Sequence, residues 1–373
     1  MLSTNRKEGE LTAQFCDRFD ALETEWPQFI ERCEADHPFN TYSWLHTWWE
    51  HFGGAGCAIA TVRQSGRLLC CIPTMLEGTG SKRRRRLWIN THSFRSGLLC
   101  DGDVPEAMGL AFDLIRGLKD WDSLTLYYLP TEYGVHQALK DQLEHIGVHY
   151  AVRQDMRSPR LEIQHSWSDY VDSLSGSRRQ AERRKMRMLC EKLDARIEIT
   201  TGRSQHLGEM LEDCWAVSRN SWKQAWGSAI GIDDRLMTFY EDIARRNRDW
   251  LVLGLVYLGE KPIAFEYNLL YKDTLYNLKL GFDEQHKEVS PGQVLRFKML
   301  EWAFQANVKF FDFMGHEAEY KNRFSNCMMP HETIQIFGGS LSGRLMACYE
   351  LSCKPLARRV RRVAKSNLKD AIS

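Results

Sequence analysis

The sequence lacks any long apolar run, which limits where the protein can reside. No stretch of 18 consecutive apolar residues occurs in the 373 residues, and the first 15, MLSTNRKEGELTAQF, contain no continuous apolar core of a signal peptide. The sequence therefore predicts neither a transmembrane helix nor an export signal. We expect a cytoplasmic protein, with peripheral contact at the inner face of the membrane as the alternative.

Paired cysteines are also missing. The eleven cysteines are odd in number and include no CxxC pair, so neither a disulfide framework nor a zinc site is predicted. His46, His286 and His316 have no neighbour at ligand spacing, and we expect no metal. A G-x-S-x-G sequence is absent as well, which removes the usual signal of a serine hydrolase.

Net charge is nearly zero. Lys and Arg number 50 against 49 Asp and Glu, so no global field favours nucleic acid as a partner. Three basic runs lie within that balance: Lys82 to Arg86, Arg178 to Arg196, and Lys354 to Lys369. Such runs are most simply solvated faces, and the alternatives are contact with anionic lipid or with a polyanionic carrier.

The patterns that are present favour an α/β (mixed α+β) fold in two domains. The length suggests two domains of about 150 to 200 residues. Three β-type runs, 250–258, 261–271 and 274–282, are separated by tight turns and predict an antiparallel meander. A helix from 291 to about 306 follows, then strands at 309–314 and 331–337. We predict domains at 1–155 and 156–340, a linker near 150 to 160, and a basic C-terminal helix in 341–373.

The helix start at EVSPGQVL has two interpretations. Ser290 is a favoured N-cap, Pro291 suits the first helical position, and Gln293 completes a capping box. Gly292 is left unexplained by capping. A glycine in the first turn lets a ligand approach the free N–H groups, where the helix dipole favours a phosphate.

Several separated motifs together resemble one family. The stretch LYNLKLGFDEQHKEVSPGQVLRFKMLEWAFQANVKFFDFMG resembles the acyl-CoA-binding core of the GNAT acyltransferases. More narrowly, it is similar to the CelD/BcsL-like (BioF2-like acetyltransferase) branch, linked to cellulose and exopolysaccharide biosynthesis and related to Fem-type transferases. Four further stretches agree, over about 25 to 340: HPFNTYSWLHTWWEHFG, LSGSRRQAERRKMRML, SWKQAWGSAIG and GHEAEYKNRF.

The resemblance implies tandem GNAT-like domains, each a mixed, largely antiparallel sheet flanked by helices, with the ligand site mainly in the second. It also implies acetyl-CoA or another acyl-CoA as co-substrate. The family's phosphate loop, Q/R-x-x-G-x-G/A, is reduced here to Lys287-x-x-Ser290-x-Gly292. The implied cofactor-binding residues lie on the last meander strand and at the helix start: Lys279, Leu280, Gly281, Ser290, Pro291, Gly292, Gln293 and Val294.

Acyl transfer needs a base, a donor to the thioester carbonyl and an acid for the leaving thiolate. Glu266 lies in the apolar run IAFEYNLL, where it is either a paired core charge or a tuned base. Asp312 lies in FFDFMG, at the end of the predicted strand. It is either a residue that faces the ligand cleft, as the resemblance implies, or a cap. Tyr320 and Lys321 match the family's Tyr-Lys pair, which implies an acid for the thiolate and a cation near a phosphate or the oxyanion.

Four residues are candidates for substrate binding. Trp44 and Trp222 belong to helical i, i+4 tryptophan patterns with Trp48 and Trp226, which are either core faces or stacking platforms for sugars. Arg179 and Arg183 lie in a one-sided basic helix that is either solvated or holds a diphosphate.

The resulting hypothesis is a transferase acylating an amine or hydroxyl of a sugar or lipid-linked glycan precursor. Contact with the membrane or with a polysaccharide synthase complex stays open. A Fem-type transferase using aminoacyl-tRNA is the first alternative, and the only one with a nucleic-acid partner. A catalytically silent GNAT-fold partner of a synthesis complex is the second.

Overall fold

The computed structural model describes residues 10–77, 83–102, 104, 106–224 and 229–355. The chain divides into two compact units. Unit 1 comprises Met1–Met156 and Pro330–Ser373, and unit 2 comprises Arg157–Met329.

Helices and strands are interspersed along the chain. The strands are β1 Leu11–Cys16, β2 Ala58–Gln64, β3 Arg67–Glu77, β4 Arg84–Leu87, β5 Leu99–Cys100, β6 Ser123–Pro130, β7 Tyr150–Glu162, β8 Arg196–Thr201, β9 Leu251–Leu258, β10 Lys261–Tyr271, β11 Thr274–Phe282, β12 Phe310–Asp312 and β13 Cys327–Phe337. The helices are α1 Trp26–Ile30, α2 Tyr42–Phe52, α3 Glu106–Gly117, α4 Gly134–His145, α5 Trp167–Ser173, α6 Gly176–Met186, α7 Leu207–Arg219, α8 Asp234–Arg246, α9 Pro291–Gln305, α10 Glu319–Asn322 and α11 Leu341–Cys348.

Unit 1 is a mixed sheet in the order β1-β2-β3-β4-β6-β13, with β5 paired to β3. Its neighbours are antiparallel except β4 and β6, which run parallel. Apolar side chains of the strands pack under α3 and α4, where Phe112 and Leu143 are fully buried. This burial supplies most of the driving force for the unit.

The structure corrects two expectations about unit 1, one through the burial of a side chain and the other through ion pairs. Trp44 is 1% exposed and stacks edge-on with Phe39, so it is a core residue and offers no face to a sugar. The basic run at Lys82 to Arg86 is not simply a solvated face, because Arg83 and Arg85 bond Asp122 and Asp120 at 2.8 and 2.6 Å. Lys82 lies outside the described residues.

Unit 2 is a sheet in the order β7-β12-β11-β10-β9-β8. β8 to β11 form an antiparallel ribbon, and the meander predicted at 250–282 is confirmed. α9 lies on one face, close to β9 because Gly254 carries no side chain: a Cβ there would stand 2.8 Å from Met299 Cε. α7 and α8 contribute Trp215 and Tyr240 to the other side of β10.

The segment interpreted as a linker near 150 to 160 is part of β7. Its charged residues alternate with side chains that face inward, among them Met156, Ser158 and Leu161. The chain passes from unit 1 to unit 2 within β7 and returns within β13. Residues 330–337 belong to unit 1 because they pair with β6 and bury Ile334 and Ile336 in its core.

The tail is helical from Leu341 and continues as a wider turn over Tyr349–Cys353. The predicted extension beyond 355 lies outside the described residues. Within the described ranges, no helix combines the length and apolar character that a membrane crossing requires.

Candidate active site

Two parallel strands of unit 2 part and leave a gap. β11 pairs with β12 only from Thr274 opposite Phe310 to Tyr276 opposite Asp312. β12 ends there, whereas β11 continues to Phe282. Among the residues that the structure describes, the backbone of β11 beyond Tyr276 therefore has no strand partner on that side. Lys223 Nζ donates to the Leu280 carbonyl oxygen at 2.7 Å, so that oxygen faces away from β10. Because the N–H and C=O of one strand residue point to the same side, the Leu280 N–H faces the gap as well.

A β-bulge sets which side chains face each side of this gap. Tyr267 pairs with Lys279, but the next residue, Asn268, pairs with Asn277, so Leu278 is the extra residue. Period-2 alternation would place Asn277 and Lys279 on one face. Because of the bulge, Asn277 points towards α9 and Lys279 towards α8.

The first turn of α9 differs from the predicted capping box. Ser290 has a left-handed conformation (φ 52°, ψ 49°), and its side chain makes no capping hydrogen bond. Gln293 Oε1 instead accepts from Lys185 Nζ of α6. Gly292 lies against Phe282, and an added Cβ would be 3.3 Å from that ring. Pro291 has no N–H, and the N–H groups of Gln293 and Val294 donate to the Ser290 carbonyl oxygen at 3.0 and 3.2 Å. Among the described residues this leaves the Gly292 N–H, together with the helix dipole, to meet an anion at the start of α9.

A cavity of about 300 Å³ opens beside this helix start on the α9 face of the sheet. Its wall is mainly apolar, and the cations of Lys287, Arg296 and Arg323 and the amide of Gln293 also line it. Its lining residues come from the segment after α7, from β11, from the loop before α9 and its first two turns, and from the segment that follows β12. They are Trp222, Leu280, Phe282, Lys287, Ser290, Gly292, Gln293, Arg296, Tyr320, Arg323 and Phe324. Five of these residues, Phe282, Lys287, Arg296, Arg323 and Phe324, lay outside the predicted cofactor, catalytic and substrate sets.

Arg296 is the most consequential residue that the sequence reasoning missed. It is 5% exposed, and its Nε and Nη2 donate to Glu266 Oε1 and Asn277 Oδ1, both at 2.7 Å. Its guanidinium lies 5.1 Å from the rings of Phe311 and Phe313. An arginine within the apolar stretch VLRFKML was the available signal, since a buried charge requires a partner.

Glu266 is held in this network. It is 2% exposed, and Asn277 Nδ2 donates to its second oxygen at 3.4 Å. Burial raises the pKa of Glu266, and the bond from Arg296 opposes that rise. This geometry matches the paired core charge more closely than an accessible base.

Two lysines near the gap have unusually low pKa values. Loss of hydration and the charge of Lys223 lower the pKa of Lys279 to about 7. Loss of hydration and the charge of Arg296 lower that of Lys223 to about 8. Lys279 Nζ stands 5.4 Å from the centre of the Tyr240 ring, on the α8 face. A lysine with a pKa near 7 is neutral in a large fraction of molecules at physiological pH and can accept a proton.

The segment after β12 supplies the remaining predicted catalytic residues. Asp312 is fully buried, and its Oδ1 accepts from the Met314 N–H at 2.8 Å, as expected for a turn cap. Lys321 Nζ donates to the carbonyl oxygens of Met314 and His316. Loss of hydration and the Arg296 charge lower the pKa of Lys321 to about 8. Tyr320 is 41% exposed on the cavity wall, and burial of its polar end raises the pKa of its hydroxyl.

The other predicted residues differ in their access to the cavity. Trp222 lines it and is partly exposed. Gly281 and Val294 do not line it: a Cβ at Gly281 would be 2.7 Å from Phe265, and Val294 is buried in the core beneath α9. Pro291 is also buried, so it and Val294 can offer only backbone.

The basic helix α6 also has a local role. Arg179 Nη1 donates to the carbonyl oxygens of Asp172 and Leu174, both at 2.6 Å, which ties α6 to the end of α5. Arg183 is exposed. Trp226 lies outside the described residues. Within the described ranges, no group of histidine, cysteine or carboxylate side chains has the arrangement of a metal site.

Residues 176–322 match the family model of the acetyltransferase (GNAT) domain. This segment contains β11, α9, β12 and every cavity-lining residue except Arg323 and Phe324. The chain thus carries a GNAT-type transferase domain. None of the curated proteins matches the sequence.

Solved structures share the fold at low identity. The chain is similar to FemX, with a TM-score of 0.61, 10% identity, and coverage of 88% of this chain and 98% of that one. It is also similar to the C-terminal domain (DUF2156) of a putative lysylphosphatidylglycerol synthetase from Agrobacterium fabrum, with a TM-score of 0.54, 10% identity, and coverage of 90% and 97%. A conserved protein of unknown function from Bacteroides thetaiotaomicron has a TM-score of 0.54 at 11% identity, with coverage of 87% and 99%.

Proposed function

We propose that this protein transfers an acyl group from acyl-CoA to an amine or hydroxyl of a sugar, or of an envelope or exopolysaccharide precursor, as in the CelD/BcsL-like branch that its motifs resemble. One observation carries the proposal. Within the matched domain, β11 and β12 part beside the uncapped start of α9, and a mainly apolar cavity fills the opening.

The residues at the opening fit a thioester donor that carries phosphates. The Gly292 N–H, the dipole of α9 and the ammonium of Lys287 provide positive potential for a pyrophosphate. Leu280 and Phe282 supply an apolar wall for the pantetheine chain. The Leu280 N–H can donate to the thioester carbonyl as negative charge develops on its oxygen.

The proposed reaction is direct transfer. The acceptor amine or hydroxyl attacks the thioester carbon, its bond to that carbon forms, and the carbon–sulfur bond breaks. Lys279, neutral before the reaction, accepts the proton that the acceptor loses. Tyr320 on the cavity wall donates a proton to the leaving thiolate, and solvent restores the tyrosine.

Binding of acetyl-CoA tests the donor site directly, because a ligand of the native state must raise its stability. At a concentration of 100 Kd, the gain is about 2.7 kcal/mol. Gly292→Val should abolish this gain, since its side chain would fill the helix start and press on Phe282.

Gly208→Val is the matched control for that substitution. Gly208 is also the second residue of a helix, α7, and no atom lies within 4 Å of a Cβ placed there. Both variants bear the same cost of a β-branched residue in a first helical turn. If Gly292→Val binds acetyl-CoA as tightly as Gly208→Val, the donor site is not at the start of α9.

A Fem-type reaction is the second candidate, and similarity to FemX over 98% of that chain favours it. The donor would then be an aminoacyl-tRNA rather than a CoA thioester. Release of free CoA thiol during turnover separates the two. Stabilisation by aminoacyl-tRNA and none by any acyl-CoA would favour the Fem-type reaction.

A further inference from the structure

The inner end of the cavity contains a cation whose hydrogen-bonding capacity is only partly used. Arg296 presents one edge, Nε and Nη2, to Glu266 and Asn277. The remaining nitrogen, Nη1, is buried and has no partner among the residues that the structure describes. A buried polar group of this kind is costly unless something bonds it. Arg296 is one of the residues that line the cavity. A bound molecule that reached Nη1 from the cavity would supply that partner.

The location of Arg296 indicates which part of a donor would meet it. Its guanidinium bonds Asn277, the first β11 residue after the last pair with β12, and lies by the rings of Phe311 and Phe313. It is therefore at the point where the two strands part. A thioester whose phosphates lie at the start of α9 and whose carbonyl meets Leu280 directs the far end of its acyl group towards this point.

The charge around Arg296 is not balanced by Glu266. The positive charge of Arg296 still lowers the pKa values of Lys223 and Lys321. Burial also raises the pKa of Glu266, which weakens that carboxylate as a counter-charge. A further anion at this point would relieve the repulsion among the three cations.

We propose that Arg296 receives a carboxylate at the far end of the acyl group, so that the preferred donor is the CoA thioester of a dicarboxylic acid. This inference rests on the proposed function and names the acyl class. Arg296 acts here as a binding and specificity residue. Its free Nη1 donates to the carboxylate, while Glu266 and Asn277 hold the guanidinium plane.

Calorimetric titration with succinyl-CoA and acetyl-CoA tests the proposal, since the two differ in that carboxylate. We expect succinyl-CoA to bind roughly tenfold or more tightly than acetyl-CoA, as expected for one charge-assisted hydrogen bond. The double variant Arg296→Gln/Glu266→Gln replaces both members of the ion pair and should bind the two thioesters equally. Lys298→Gln removes a cation from α9 that is paired with Glu301 and should retain the preference.

Equal affinity of the wild type for both thioesters would overturn the proposal, as would a preference that survives in the double variant. Free succinate and succinamide keep the test independent of CoA binding. Succinate should raise the melting temperature of the wild type more than succinamide does, and the double variant should lose this difference. If neither thioester binds but succinate does, the acyl-CoA function fails while the carboxylate site remains; if succinate has no effect, the site fails.

Discussion

Two buried arginines, one in each unit, are held in different ways. Arg85 of β4 is 1% exposed, and its two amino nitrogens bond the Gly56 carbonyl, Thr74 and Asp120, leaving only Nε without a partner in the described structure. Arg296 of α9 is almost as buried, but one of its amino nitrogens is unbonded beside a cavity.

The comparison shows that a conspicuous basic run can be structural while scattered cations form a site. KRRRR is the most obvious charge cluster in the sequence, yet two of its arginines are bonded to aspartates of their own unit. Lys223, Arg296 and Lys321 are far apart in sequence, and the fold brings their charges within reach of each other. Proximity to a cavity, rather than density of charge, distinguishes the two regions.

The largest effects on the free energy of unfolding should come from removing the carboxylate of the Arg296–Glu266 pair and that of the Arg85–Asp120 pair. Glu266→Gln leaves Arg296 buried without a counter-charge, and we expect a loss of about 3 kcal/mol in the free energy of unfolding. Asp120→Asn should cost less, because the Asp120 side chain is 43% exposed and water partly replaces it. Urea unfolding measures both values.

Succinate then separates a structural arginine from a ligand-binding one. It should restore part of the stability of Glu266→Gln, because the cavity admits a second carboxylate to Arg296, and should restore none in Asp120→Asn. Equal responses of the two variants would mean that the arginines do not differ in function.

Lys279 should have a smaller effect, which appears in the pH dependence of the free energy of unfolding. Its pKa in the folded state, about 7, lies below the value of about 10.4 for an unfolded lysine. Between these values the unfolded chain binds more protons, so the stability of the wild type should rise with pH. Below pH 7 the full penalty of charging Lys279 is present. Relative to Lys279→Met, the wild type should gain on the order of 2 kcal/mol from pH 6 to pH 9.

Urea unfolding of both proteins at several pH values measures this difference. Parallel curves for wild type and Lys279→Met would show that Lys279 has an ordinary pKa in the folded protein. It would then no longer be a suitable proton acceptor.

Much of unit 2 could be predicted because its strands follow simple rules. Tight turns at Gly259 and Lys272 separate three apolar runs, and the antiparallel pairing order of β9 to β11 follows from them. β7 was missed because its sequence, YAVRQDMRSPRLE, has charges at most of its outward positions and few apolar residues. Pairing with β12, far away in sequence, stabilises its last residues.

The candidate site was predictable only in part. The start of α9 could be located from Pro291 and Gly292, but the left-handed conformation of Ser290 could not, because a serine before a proline favours an N-cap. The sequence TLYNLKLGF contains no clear signal of the bulge at Leu278. That Asn277 and Lys279 point to opposite faces of the sheet could therefore not be predicted. The role of Arg296 could not be predicted, because it depends on Glu266 and Asn277, which lie on the strands beneath α9.

The smallest effect should come from a substitution of Arg83 in unit 1. The side chain of Arg83 is half-exposed, whereas that of its ion-pair partner, Asp122, is buried. Burial alone would raise the pKa of Asp122, but hydrogen bonds from Arg83 and Ser340 outweigh it and hold that pKa below its usual range. A depressed folded-state pKa contributes stability above the unfolded value and loses it as pH falls through the folded one. Arg83→Gln should therefore lower the free energy of unfolding at pH 7, by less than either of the preceding changes because water screens this half-exposed pair. The difference from the wild type should shrink towards pH 3 in urea unfolding. A cost that is equal at both pH values would assign the role of Arg83 to packing of its side chain, and the ion pairing of the basic run would then rest on Arg85 and Arg86.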